Sequence, residues 1–305
     1  MKRVRRILVP VDFSKTSAAA VRTAVRIASR SKARVSLLHV YPFPRGSFSA
    51  YRTMREIEAD AKGEKGAWTS KSKRTLSAWV TRYQKPGVTL RKLFAIGRPA
   101  EEIKTVAVQI KADLIVIGTR GLGGLKGAII GSTAAEAIRL TDAPVLTVHE
   151  GRGATGEASR VVVGDDFGDG GDAAIAAAVA FVDPKKARVL LLHVVDPAPL
   201  LYAGAAEWGW IAATDTLAED EKLSKNKIET RAGKLRRKGF KVECRVVTGP
   251  PAQTITRVAK GWKAQLLIVA THGRRGVSRV LIGNTADQLL RSVRTPILTV
   301  RPERK

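Results

Sequence analysis

The chain has 305 residues, a hydrophobic fraction of 44% and a formal net charge of +27 from 54 basic and 27 acidic residues. Common domains have roughly 100–150 residues, so this length predicts two domains. The single cysteine, Cys244, excludes an internal disulfide framework. The first apolar run is too short for a signal peptide, and no run approaches the roughly 20 apolar residues of a membrane span, so we expect a cytoplasmic protein without a membrane partner.

The positive charge suits anionic partners, which include nucleotides, nucleic acid and acidic membrane surfaces. The basic residues are scattered along the sequence and are not gathered in one tail. This distribution favours generally basic, solvated faces over a dedicated nucleic-acid-binding arm. Binding of nucleic acid is therefore kept as an alternative that the charge alone does not favour.

An internal repeat is the most informative feature of the sequence. "ILVPVDFSKTSAAAVRTAVRIA" (Ile7 to Ala28) aligns with "VVVGDDFGDGGDAAIAAAVAFV" (Val161 to Val182). The segments "LLHV", "IGRPAEEI", "ADLIVIGTRG" and "APVLTVHE" recur in the same order as "LLHV", "TGPPAQTI", "AQLLIVATHG" and "TPILTVRP". This order indicates a duplicated domain. The polar, glycine-containing stretch from Gly151 to Ser159 predicts a linker between domains of residues 1–150 and 160–305.

Each repeat alternates strand-like and helix-like patterns. The first opens with the strand "RILVPV", followed by a helix with Val21, Val25 and Ala28 on its apolar face. The strand "ARVSLLHV", a long basic helix, the strand "TLRKLFAIG" and a helix with Pro99 at its first position come next. The strand "ADLIVIG", the helix "TAAEAIRL" and the strand "APVLTVHE" complete the repeat. The pattern predicts an α/β fold of two tandem doubly wound domains, each with a five-stranded parallel sheet.

The stretch "GTRGLGGLKGAIIGST" begins at Gly118, directly after the fourth predicted strand. It matches neither the Walker motif nor the dinucleotide fingerprint GxGxxG. Gly118 and Gly121 allow the backbone to turn there, whereas Gly131, Ser132 and Thr133 are expected to offer free N–H groups and hydroxyls at a helix N-terminus. This combination predicts a phosphate site. The alternative is that the glycines serve only a turn and close packing of the helix on the sheet.

Asp12 ends the first predicted strand, and ligands of open parallel sheets bind at such strand ends where the winding reverses. If strands one and four are neighbours, Asp12 faces the same crevice as the glycines. Asp12, Ser14 or Thr16 is also a candidate cap of the first helix. The strand-end residues His39 and His193 favour hydrogen-bonded strand termini over ligands. No metal site is expected, since the four histidines are dispersed and the one cysteine has no partner thiol.

These segments resemble the universal stress protein family over nearly the whole chain. The resemblance rests on the spacing Gly118-x2-Gly121-x9-Gly131-Ser132, on "ILVPVDFS" and on "LLHV". It implies a five-stranded α/β sandwich of the adenine nucleotide alpha hydrolase-like type, and the glycine motif marks the members that bind ATP. It also implies pairing through the last strands, here within one chain as a pseudo-dimer, with a homodimer also open. The residues that the resemblance implies for the nucleotide site are Pro10, Val11, Asp12, Val40, Gly118, Gly121, Gly131 and Ser132, and the helix N-terminus adds Thr133.

The second repeat departs from this motif. Ala270 stands in the position of Gly118, where its methyl group is expected to crowd a close backbone approach, and Asn284 replaces Ser132. We therefore expect a working first site and a weaker or empty second one. The residues assigned to the weaker site are Asp166, Val194, Gly273, Gly283 and Asn284.

The leading hypothesis is an ATP-binding regulatory protein of the stress response, whose nucleotide state controls its conformation or its partners. Mg²⁺ is expected to be held largely by the phosphates, because the loops offer few carboxylates beyond Asp12. No general base is evident beside the γ-phosphate, so we expect no catalytic residue and at most slow ATP hydrolysis. Two alternatives stay open: an interaction protein with degenerate nucleotide sites, and a nucleic-acid-binding protein that relies on its basic charge.

Overall fold

The computed structural model describes residues 4–42, 64–119, 130–150, 158–198, 209–271 and 282–302. Each half of the chain contains five strands and four helices within these ranges, as the sequence predicted. The elements of the first half are β1 (Arg6–Pro10), α1 (Lys15–Ser31), β2 (Arg34–Pro42), α2 (Glu64–Tyr83), β3 (Thr89–Gly97), α3 (Pro99–Gln109), β4 (Leu114–Gly118), α4 (Ser132–Leu140) and β5 (Val145–Val148). Those of the second half are β6 (Arg160–Gly164), α5 (Asp169–Phe181), β7 (Arg188–Val195), α6 (Gly209–Arg236), β8 (Lys241–Thr248), α7 (Pro251–Gly261), β9 (Leu266–Ala270), α8 (Asn284–Ser292) and β10 (Ile297–Val300).

All ten strands form one sheet in the order β3-β2-β1-β4-β5-β10-β9-β6-β7-β8. Within each half the strands are parallel, and β1 lies between β2 and β4. Residue Ile7 of β1 pairs with Val35 of β2 on one side and with Leu114 of β4 on the other. The winding therefore reverses between β1 and β4, which confirms the predicted doubly wound topology and brings their carboxyl ends side by side.

The two halves are joined edge to edge, because β5 and β10 pair antiparallel with Leu298 opposite Leu146. The Thr147 hydroxyl donates to the Ile297 carbonyl oxygen (3.2 Å), and the Thr299 hydroxyl donates to that of Val145 (3.2 Å). The sequence predicted this pairing of the last strands within one chain. The result is a continuous sheet in which the strands of the two halves run in opposite directions.

Helices cover both faces of the sheet, as a parallel sheet requires. The first layer, α1, α2, α5 and α6, packs on the face to which Ile7 and Val9 point. The second layer, α3, α4, α7 and α8, packs on the opposite face, which receives Leu8. Both cores contain residues of the two halves, so the apolar interior is continuous across the β5–β10 pairing.

The helix starts follow the predicted chemistry in two places. Ser14 is the N-cap of α1, since its hydroxyl accepts the Ser17 N–H (3.2 Å). Helix α3 begins with Pro99, and Glu101 and Glu102 lie in its first turn, where negative charge is favourable. None of the described helices has both the length and the apolar composition that crossing a membrane needs.

Candidate functional site

Asp12 lies at the carboxyl end of β1, half-buried between the sheet and the start of α1. Its Oδ1 atom accepts the Ser14 N–H (3.0 Å), which fixes the turn that leads into the helix. Of the candidate caps, Ser14 therefore fills the N-cap position, and Asp12 orders the turn before it. The carboxylate stays at the edge of the sheet where β1 meets β4.

Val11 and Val40, which the resemblance placed together around the adenosine, lie on opposite faces of the sheet. The Val11 side chain is buried in the first-layer core, and Val40 is buried in the second-layer core. The Val11 N–H donates to the Leu38 carbonyl oxygen (2.8 Å), and its own carbonyl accepts a hydrogen bond from His39 Nδ1 (2.8 Å). Val11 therefore serves the core and the strand pairing, whereas Val40 lines the second-layer side with the buried Pro10 at the end of β1.

A strained phenylalanine follows the strand in both halves, which sequence reasoning missed. Phe13 has φ of 65° and Phe167 has φ of 60°, in the left-handed region that bulky residues rarely adopt. Phe13 stacks on His39 with 4.4 Å between ring centroids, and Phe167 stacks on His193 at 3.9 Å. Such a conformation costs about 1–3 kcal/mol and persists only where the surroundings fix it. The signal in the sequence was the phenylalanine repeated in "VDFS" and "DDFG".

Gly118 is required by the protein's own backbone. A Cβ atom at this position would lie 2.8 Å from the carbonyl carbon of Thr16 and 2.9 Å from the Ser17 nitrogen, in the first turn of α1. In the second half, Ala270 replaces Gly118, but the helix positions matching Thr16 and Ser17 are Gly170 and Gly171. The second half thus has alanine at the strand end and two glycines in the helix that crosses it, and Ala270 packs against the first-layer core there.

Gly131 is the N-cap of α4, with φ of −80° and ψ of 157° and no side-chain cap. We expected a free N–H at this residue, and that expectation is wrong: the Gly131 N–H donates to the Thr119 carbonyl oxygen at 2.5 Å. This hydrogen bond holds the start of α4 against the end of β4, because Thr119 directly follows Gly118. The donors that the helix can offer to an anion therefore begin at Ser132 and Thr133, which are exposed and half-buried respectively.

Two residues of the predicted sites, Gly121 and Gly273, lie outside the described residues. Arg120, Lys126 and His272, which adjoin them in the sequence, also lie outside. The structure therefore brings together Asp12, Gly118, Gly131 and the first turn of α4 at one edge of the sheet.

The second half repeats this edge with different polar groups. Asp166 Oδ1 accepts the N–H groups of Gly168 (3.0 Å) and Gly171 (2.6 Å), and the Gly283 N–H donates to the Thr271 carbonyl oxygen (2.6 Å). The side-chain oxygen of Asn284 accepts a hydrogen bond from Gln288 Nε2 (2.9 Å). The side chain that replaces Ser132 is therefore engaged within α8, and Val194 on β7 is half-buried.

A buried ion pair distinguishes the second half from the first. Asp165, whose side chain is 0% exposed, accepts a hydrogen bond from Arg231 Nε of α6 at 2.6 Å. The matched positions in the first half are Val11 and Trp79, an apolar pair that packs in the first-layer core. A Cβ atom on Gly171 would overlap Asp165 Oδ1, so the ion pair also explains that glycine. The strand end is thus apolar in one half and charged in the other.

Metal and thiol chemistry find no support in the described part of the chain. Within the described ranges, no group of three or more His, Cys, Asp or Glu side chains is placed to hold a metal ion. Burial and the neighbouring Glu229 raise the pKa of the Cys244 thiol to about 12. A thiol with this pKa is protonated near neutral pH and is not an activated nucleophile.

Comparisons with known proteins agree with the repeat and the fold. A model of the universal stress protein family matches residues 3–149 and again residues 157–301. A universal stress protein of Mycolicibacterium smegmatis is 27% identical over 310 residues, which cover 97% of this chain and 97% of that protein. One from Methanocaldococcus jannaschii is 29% identical over 140 residues, which cover 45% of this chain and 80% of the relative.

Solved structures show the same architecture. The crystal structure of a universal stress protein from Archaeoglobus fulgidus has a TM-score of 0.66 at 18% identity, and the match covers 97% of this chain and 96% of that one. A protein of unknown function from Pseudomonas aeruginosa has a TM-score of 0.62, with coverage of 98% and 93%. The chain belongs to the universal stress protein family and contains two tandem domains of that family.

Proposed function

We propose that the first domain binds an adenine nucleotide at the carboxyl ends of β1 and β4, and that the bound nucleotide regulates the conformation or the partners of the protein. Membership of the family supports a role in the stress response. The observation that carries the proposal is the N-terminus of α4, which has no side-chain cap and is fixed beside Gly118 by the Gly131–Thr119 hydrogen bond. Such a terminus favours anions through its N–H groups and its partial positive charge.

We assign the residues at this edge to two parts of the nucleotide, the phosphates and the adenosine. Ser132 and Thr133 would bind phosphate through their N–H groups and hydroxyls, because they open α4 and remain accessible. Asp12 would accept hydrogen bonds from the adenosine, and Val40 with Pro10 would supply apolar contact. Gly118 would leave the end of β4 free of a side chain, in addition to its packing role.

Binding is a better proposal than catalysis at this edge. The titratable side chains described at this edge already have hydrogen-bond partners: Asp12 accepts the Ser14 N–H, Nδ1 of His39 is bonded to the Val11 carbonyl, and Nδ1 of His149 is bonded to the Thr119 hydroxyl. The chemistry of the donor set fits phosphate and adenosine. The described residues of the candidate site include one carboxylate, that of Asp12. We therefore propose that Mg²⁺ would be bound mainly by the phosphates of the nucleotide.

We propose that the second domain binds nucleotide more weakly or not at all. Asn284 replaces the serine, and its side-chain oxygen is bonded to Gln288. The charged pair Asp165–Arg231 also replaces apolar packing at the end of the first strand of that domain. The second domain would then serve mainly as an interaction module.

The first test is to denature the purified protein, separate the released nucleotide by chromatography and count it per chain. We expect about one adenine nucleotide per chain, or uptake of that amount from added ATP with Mg²⁺, because Asn284 replaces Ser132 at the equally uncapped terminus of α8. Two nucleotides per chain would show that the second domain binds as well. No release and no uptake would favour the interaction protein with degenerate sites.

A pair of valine variants tests the position of the site. Gly131→Val should abolish binding by covering the first N–H groups of α4, and it should keep the fold because φ of −80° and ψ of 157° suit valine. Gly283→Val is the matched control, since Gly283 caps α8 with φ of −57° and ψ of 144°. We expect the control to retain binding, as measured by titration calorimetry. Unchanged affinity in Gly131→Val would refute the assignment.

A further inference from the structure

One surface of the first domain is rich in lysine and arginine. It is formed by the exposed sides of α1 and α2 in the first helix layer and by the adjacent edge strand β3, and we call it the basic face. Residues 13–42 and 70–100, which contribute it, include fourteen lysines and arginines and no aspartate or glutamate, and one of these bases, Arg98, pairs with Glu101 of α3 at 2.9 Å. Lys92 of β3 joins the strand to the helix layer, since its ammonium donates to the Ser77 hydroxyl of α2 at 2.9 Å.

The matched residues of the second domain carry half that net charge. The equivalent residues, 167–196 and 222–252, include thirteen lysines and arginines and six aspartates and glutamates. Several of these bases are paired, as in Lys234–Asp172 (3.0 Å), Arg236–Glu229 (2.7 Å) and Arg245–Glu243 (2.5 Å). Since the two domains share one fold, the larger positive charge of the first is not a requirement of the architecture.

Helix α1 shows the difference most directly. Its exposed residues Arg22, Arg26 and Arg30 follow one another at intervals of four, and the helix contains no acidic residue. The positions in α5 that match Arg22 and Arg26 are Ala176 and Ala180. The fold therefore accepts alanine at the places where the first domain has arginine.

The row of arginines is unfavourable for the helix itself. Like charges four residues apart on a helix repel each other and destabilise it. Successive arginines of this row are about 6 Å apart along the helix axis. An anionic chain that lies along the row would neutralise their charges. A partner with regularly spaced negative charges accounts for the arrangement, because it would convert this repulsion into attraction.

We propose that the basic face binds double-helical DNA through its phosphate backbone, without reading the sequence. A membrane partner is less suited to the surface, because the two large hydrophobic side chains found exposed in the described residues, Val108 and Leu223, lie outside it. Single strands are also less suited, because the half-buried rings of Phe13, Trp79 and Tyr83 pack on one another, which leaves them poorly placed to stack on bases.

The test uses the full chain and a fluorescent DNA duplex of random sequence, with binding measured by anisotropy across a series of salt concentrations. The variant Arg22→Ala/Arg26→Ala places in α1 the residues that α5 already has. We expect its Kd at 0.1 M salt to be about tenfold weaker or more, and the slope of log K against log salt to be smaller by roughly 0.9 for each lost phosphate contact.

The matched control is Arg257→Ala/Lys260→Ala, which removes two exposed charges from α7 in the second layer of the other domain. It lowers the net charge by the same amount and should leave DNA binding within about twofold of the wild type. Equal losses in both variants would overturn the proposal, because binding would then follow the overall charge. Wild-type protein that binds anionic vesicles but not the duplex, or single strands more tightly than the duplex, would overturn it too.

Folding and nucleotide binding are measured on the same samples. Both variants should keep the wild-type circular dichroism spectrum and unfolding midpoint, since alanine is the best helix former. Both should also keep the nucleotide content of the wild type, because the arginine row lies on the exposed side of α1. A DNA-binding loss with intact nucleotide binding therefore tests the basic face alone.

Discussion

Gly118 of β4 and Ala270 of β9 end equivalent strands, and the helices that cross those ends differ in sequence. Thr16 and Ser17 cross Gly118, and the matched residues Gly170 and Gly171 cross Ala270. The close contact at Gly118 is with backbone atoms at 2.8 and 2.9 Å, which cannot move aside as a flexible side chain would. The position is therefore fixed by packing as well as by any ligand.

At this scale we predict that Gly118→Ala destabilises the protein by about 1–3 kcal/mol, the usual cost of overpacking. The control Ala270→Gly should cost about 0.5–1 kcal/mol, the general penalty for glycine within a regular element. Urea denaturation followed by circular dichroism measures both. If Gly118→Ala cost no more than Ala270→Gly, the contact with α1 would not be what requires the glycine.

At the scale of elements, β6 and α6 are joined by a charged pair where β1 and α2 are joined by an apolar one. Asp165 accepts its hydrogen bond from Arg231, and the matched residues are Val11 and Trp79. The sequence could not predict this pairing, because "GDDFGD" has the composition of a polar loop and Arg231 lies 66 residues further along the chain. The register of α6 on the sheet, set by tertiary packing, brings the two together.

We predict that Arg231→Met destabilises the protein by about 3–5 kcal/mol, because it leaves the Asp165 carboxylate buried without its partner. The double variant Asp165→Val/Arg231→Trp installs the apolar pair of the first domain and should recover most of that loss. The control Arg236→Met removes an exposed ion pair with Glu229 and should cost about 0–1 kcal/mol. Chemical denaturation of the four proteins gives the comparison. A loss in Arg231→Met no larger than in the control would contradict it.

The elements themselves were predictable, because they depend on local patterns. Apolar alternation and helical spacing predicted the strands and helices of both halves, the repeat predicted two like domains, and the family resemblance implied the pairing of β5 with β10. For the candidate nucleotide site, the sequence predicted the location at the carboxyl ends of β1 and β4 but not the contacts of individual residues. The N–H of Gly131 is taken by Thr119 and Val11 points into the opposite core from Val40, and both facts depend on contacts between segments that are distant in the sequence.

At the scale of the whole molecule, Arg301 at the end of β10 ties the second domain to α4 of the first. Its guanidinium donates to Asp142 Oδ1 (3.1 Å) and to the carbonyl oxygens of Ile138 (3.4 Å) and Arg139 at the C-terminal end of that helix. A cation is favourable there because the last carbonyls of a helix carry partial negative charge. The helix that offers its N-terminus to the proposed phosphate is thus held at its other end by the second domain.

Since the sheet and both cores continue across the two domains, we predict that they unfold in one cooperative transition. Amide hydrogen exchange at increasing urea, read by mass spectrometry, should show β1 and β6 losing protection at the same midpoint. Arg301→Ala should lower that midpoint for both strands together, by an amount that corresponds to about 1–2 kcal/mol of unfolding free energy, because it removes charge-assisted hydrogen bonds to a helix terminus. Loss of protection in β6 at lower urea than in β1 would mean that the domains are stable separately, and that the β5–β10 pairing joins them without coupling their folding.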